Sequence, residues 1–117
     1  MFMILALAAM QAPPAVPLTE NEQRTAFCWV TLTNAAMRSV QQSGHMPDGA
    51  LGEAYGFING KMRGRFPDDA RLSDAVQAGS AAFGRVRDID EATRSCIQDY
   101  QTEMSHFSDV TIRAATR

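Results

Sequence analysis

Two cysteines, Cys28 and Cys96, carry the most definite chemistry in this 117-residue chain. They lie 68 residues apart. No Cys-x-x-Cys pair exists, so thioredoxin-type exchange has no sequence support. Two cysteines and two distant histidines lack the paired spacing of structural zinc, and neither a metal nor a cofactor is expected. One disulfide, Cys28 to Cys96, is the expected use of the thiols in a short exported chain. Two buried free thiols are the alternative. A loop of this length closed by a bridge stabilises the fold by about 4 kcal/mol in the chain-entropy model.

Other reactive side chains are scattered. His45 stands in a loop beside Pro47, and His106 lies near the end of a helical stripe. Both are expected at the surface, and neither has a sequence partner. Glu53, Asp74 and Glu103 fall within helical stretches, where solvated faces are the default. Lys61, Arg63 and Arg65 are close together, with Arg71 beyond. They are either a solvated helix end, favoured by the C-terminal dipole, or a candidate anion-binding cluster. There is no G-x-S-x-G, no H-E-x-x-H, no phosphate-cradling glycine loop and no EF-hand spacing. A non-enzymatic protein is therefore the expectation.

The elements that hold these residues are helical. From Ile89, apolar and small residues recur at Ala92, Cys96, Tyr100, Met104 and Phe107, one face of a helix reaching at least Phe107. Asp88 or Asp90 is its cap. Thr19-Glu20-Asn21-Glu22 is a capping box that opens the first helix. That helix runs to about Gln42, with Gly44 as its left-handed cap. Trp29 is expected at the core edge with its N–H near water. A second helix, capped by Asp48, spans about Gly49 to Arg63. Pro67-Asp68-Asp69 opens a third, with Leu72, Ala75, Val76, Gly79, Phe83 and Val86 on one face. No strand pattern competes. Four helices with short loops predict an all-α, four-helix bundle-like single domain of up-down topology.

The second helix carries Gly52, Gly56 and Gly60 at four-residue intervals, then Gly64. Each interior glycine costs about 1 kcal/mol against alanine. Gly52, Gly56 and Gly60 are candidate helix-packing glycines, on which a neighbouring helix approaches closely. A groove or a flexible element is the other reading.

Residues 1–18 carry no charge. The apolar run Met1–Met10 is too short for a membrane span, which needs about 20 residues. Ala6-Leu7-Ala8 fits a signal-peptidase site better than Met10-Gln11-Ala12, because Pro13 follows the latter. The expected organisation is a signal peptide over 1–12, a Pro-rich spacer over 13–18 and a helical domain over 19–117. An N-terminal helix packed on the domain is the competing reading. Export makes the expected location periplasmic or secreted, with no membrane span once the signal is removed. Hydrophobic residues form 45% and charged residues 21% of the chain, and the net charge is −2. That composition belongs to a folded globular domain. It lacks the basic excess that nucleic-acid binding needs.

The stretch Tyr55-Gly56-Phe57-Ile58-Asn59-Gly60-Lys61-Met62-Arg63-Gly64-Arg65-Phe66-Pro67 resembles a motif of small exported, two-cysteine helical proteins of α-proteobacteria, especially sphingomonads. In that group an early and a late cysteine flank the motif, as Cys28 and Cys96 do. The group is functionally uncharacterised, so the resemblance implies a fold and no catalytic residues. Cys96-Ile97-Gln98-Asp99, followed by Phe107, is similar to the segment after the second cysteine of periplasmic acid-stress chaperones. The chain departs from those in its longer inter-cysteine spacing and its glycine-rich second helix. An envelope-associated binding module, with an envelope protein as candidate partner, is the functional expectation. An acid-stress holdase is the alternative.

Overall fold

The structure is a computed structural model that describes residues 16–117. Four helices follow in order: α1 Glu20–Ser43, α2 Gly49–Arg65, α3 Asp69–Gly84 and α4 Ile89–Ala115. Local chemistry sets each boundary. The Thr19 hydroxyl accepts the Glu22 N–H at 3.1 Å, and the Glu22 carboxylate accepts the Thr19 N–H at 3.0 Å. Gly44 closes α1 at φ 80° and Gly49 opens α2 at φ 64°, both in the left-handed region that glycine tolerates. Asp48 occupies the N-cap position of α2, but its side chain makes no capping hydrogen bond. Asp68 caps α3 through the Ala70 N–H, and Asp88, rather than Asp90, caps α4 through the Glu91 N–H. The fold is all-α and bundle-like, as the periodicity predicts.

α1 is the hub. It packs along α2, α3 and α4, and α2 also packs along α4. The Trp29 indole N–H donates to Asn59 Oδ1 at 2.8 Å rather than to water, which ties α1 to α2. α1 runs antiparallel to α4: Arg24, four residues before Cys28, pairs with Asp99, three residues after Cys96. α1 and α3 run parallel. Glu22 meets Arg71 at their starts, and Ala26 packs on Ala75 further along. In an ideal up-down bundle these two helices sit across a diagonal. Here they touch because small residues face each other. A Cβ on buried Gly79 would stand 2.6 Å from the Ala26 carbonyl. α3 therefore slides onto α1 and leaves α4 to α1 and α2.

The core divides into two clusters. Cys28, Leu32, Ala54, Ile58 and Cys96 bury together between α1, α2 and α4. Ala26, Met62, Phe66 and Ala75 bury together between α1, the end of α2 and α3. Leu18 packs on the second cluster, so the chain is docked before α1 begins.

The expectation of helix-packing glycines is corrected here. Among the described residues, no helix packs on the glycine row of α2. Gly56 and Gly60 face open space, and Gly52 lies against the Pro47 carbonyl of the preceding loop. α4 reaches past Phe107, as its apolar period predicts, but the outer part of its stripe is exposed. Every residue from Gln101 onward is exposed, and Phe107 is 64% exposed. Cys28 bonds to Cys96 near the start of each antiparallel helix. The two helices are therefore offset, and α4 runs on past the start of α1. The signal segment 1–12 and the first half of the 13–18 spacer lie outside the described residues.

Candidate functional site

Cys28 and Cys96 form the expected disulfide, with their Cα atoms 5.3 Å apart and their side chains almost wholly buried. No free cysteine remains among the described residues. The bridge sits at the base of a cleft between α1, α2 and α4, with a volume of about 260 Å³. Leu32, Ala54 and Ile58 complete an apolar floor. Phe57 of α2 and Tyr100 of α4 form one wall, their ring centroids 5.2 Å apart and their planes inclined at 55°.

The charged side chains of the cleft are partly exposed, and the Asp99 carboxylate reaches to 3.9 Å from the Cys28 sulfur. Arg24 Nε donates to Asp99 Oδ2 at 2.7 Å, and a second Arg24 nitrogen donates to Ser95 Oγ at 2.7 Å. The Lys61 ammonium pairs with Glu103 and lies 6.0 Å from the centroid of the Phe57 ring. Asp99 and Glu103 are one helical turn apart on α4, so one helix answers a cation from each of the other two. The four charges cancel in pairs. Asn21 and Thr102 add uncharged polar groups to the lining.

The basic triad predicted as an anion site does not converge. Lys61 is spent on Glu103, and Arg63 and Arg65 are exposed in the last turn of α2, where they suit the helix dipole. Arg71 is further away and belongs to another cluster. It donates to the Glu22 carboxylate at 2.9 Å and to the Val16 carbonyl at 3.0 Å. The Thr19 N–H, bonded to this carboxylate, lowers the Glu22 pKa most. Burial opposes that shift, and Arg71 adds to the lowering. The Glu22–Arg71 pair thus joins the entering chain, α1 and α3.

His45 and His106 are exposed, as expected, and Glu53 and Asp74 lie on solvated surfaces. Among the described residues no group of three His, Cys, Asp or Glu side chains is placed to hold a metal ion. No family model, curated protein or solved structure matches the chain. The geometry of the cleft is therefore the ground for any functional reading.

Sequence reasoning missed Arg24, Asp99, Phe57 and Tyr100 as parts of one site. A signal existed. Once Cys28 bonds to Cys96 across antiparallel helices, the residue four before the first must face the residue three after the second. Those are Arg24 and Asp99, of opposite charge.

Proposed function

We propose that this chain is an exported helical binding module, periplasmic or secreted, that acts without catalysis. The buried Cys28–Cys96 disulfide carries this reading. Such bonds persist in oxidising compartments and are rare in the reducing cytosol. The uncharged residues 1–18 support it, because they read as a signal followed by a spacer. The cleft supports binding over catalysis: its four charged side chains are tied to one another in ion pairs and its floor is apolar. No helix of the described residues is long and apolar enough to cross a membrane. Residues 1–18 fused to a phosphatase that is active only after export test the localisation. Activity from that fusion, and none when Leu5 and Leu7 are changed to Arg, is the expected result. An inactive fusion with good expression would refute export.

An acid-conditioned holdase is a second reading. It is favoured by three ion pairs, Arg24–Asp99, Lys61–Glu103 and Arg71–Glu22, each joining two helices and each dependent on a carboxylate. Met104, Phe107 and Val110 of α4 already present apolar surface. Acidification to about pH 2–3, below the carboxylate reference values, then loosens the bundle and suppresses aggregation of an unfolded client. A chain that suppresses none at that pH is not a holdase.

A further inference from the structure

We propose that the cleft between α1, α2 and α4 binds a small, uncharged aromatic molecule bearing one hydrogen-bonding group, of the size of a naphthol. The inference rests on the reading of the chain as a binding module and names its ligand class.

Size comes first. An apolar cavity of about 150 Å³ holds one benzene ring. The cleft, at about 260 Å³, has room for one to two rings and lies below the range of drug-sized sites. Lining chemistry comes second. The floor is Leu32, Ala54, Ile58 and the disulfide, which offer contact and no hydrogen bonds. Phe57 and Tyr100 meet at a tilt, which leaves an aromatic wall for edge or offset stacking.

Charge decides the class. Arg24 and Lys61 each reach the mouth, but both are neutralised by Asp99 and Glu103. An anionic ligand would have to displace a carboxylate of the protein, and a cationic one an Arg or Lys. Either exchange gives up one of the two ion pairs that join α4 to its neighbours, a loss that a neutral ligand avoids. A neutral molecule leaves both pairs intact and finds Asn21 and Thr102 at the mouth as uncharged partners.

The test is calorimetric titration of the full disulfide-bonded chain with 2-naphthol, 2-naphthoate and 2-naphthylmethylammonium. The expected order is naphthol first, with each charged analogue weaker by up to about fivefold, the loss of one exposed ion pair. Thr102→Phe, at an exposed position on α4, should fill the mouth and abolish naphthol binding. Its helical circular dichroism and melting should stay unchanged. Asp99→Asn frees Arg24 and should strengthen naphthoate binding by about tenfold. Absence of naphthol binding, indifference to ligand charge, or full binding by a folded Thr102→Phe chain would each overturn the proposal. None of these outcomes bears on export, which the phosphatase fusion reads independently.

Discussion

At the residue scale, one glycine and one glutamate do more than the sequence shows. The regular spacing of Gly52, Gly56 and Gly60 draws attention to α2, but the glycine that admits a neighbouring helix is Gly79 of α3. Spacing reveals which residues share a face; it is silent on whether another helix lies over that face. Gly56→Ala and Gly60→Ala should therefore each stabilise the fold by about 0.5–1 kcal/mol. Gly79→Ala should destabilise it by about 1–3 kcal/mol, as overpacking does. Urea unfolding of the three variants checks both signs. Glu22 was legible only as half of a capping box. Its second role, holding Arg71, needs the parallel contact of α1 and α3, which no local pattern encodes. Because its folded pKa is lowered, its contribution is complete above the ordinary glutamate value, about 4.3. That contribution is lost as the pH falls through the lower folded value. Glu22→Gln should lower the melting temperature at neutral pH, and that deficit should shrink as the wild type is acidified through this window.

At the element scale, α4 is two things in succession. From Ile89 to Tyr100 it closes the core through Cys96 and Ile97. Beyond Glu103, which still pairs with Lys61 of α2, it runs on exposed, with Met104, Phe107 and Val110 on the continuation of the same stripe. The helical period was readable along this whole stretch because period depends on the helix alone. Burial was not, because it depends on where α1 begins relative to α4. Deletion of residues 108–117 should accordingly change the unfolding free energy by less than about 0.5 kcal/mol, in line with exposed positions elsewhere. Leu32→Ala, in the first core cluster and almost wholly buried, should cost about 2–5 kcal/mol. Hydrogen exchange should follow the same division. Amides of the outer half of α4 should exchange well before those flanking Cys96.

At the scale of the whole molecule, four helices, the capping box and glycine cap of α1 and the pairing of the two cysteines were legible in the sequence. Capping chemistry and apolar periodicity are local, and two cysteines leave a single intramolecular partner. The arrangement of the helices was not legible. It follows from Ala26, Ala75 and Gly79, whose small size draws α3 onto α1 and leaves a cleft between α1, α2 and α4. The disulfide at the base of that cleft ties the first helix to the last and underlies both the stability and the proposed compartment of the protein. By the loop-entropy relation its loss should cost about 4 kcal/mol, out of a total of about 5–15 kcal/mol for a domain of this kind. The most direct measurement is the intact mass of the protein recovered from its native cell envelope, alkylated before and after reduction. An exported, disulfide-closed chain gives a mass lacking the N-terminal segment, with two thiols alkylated only after reduction. A full-length mass with two thiols alkylated after unfolding but without reduction would contradict both the bridge and the export.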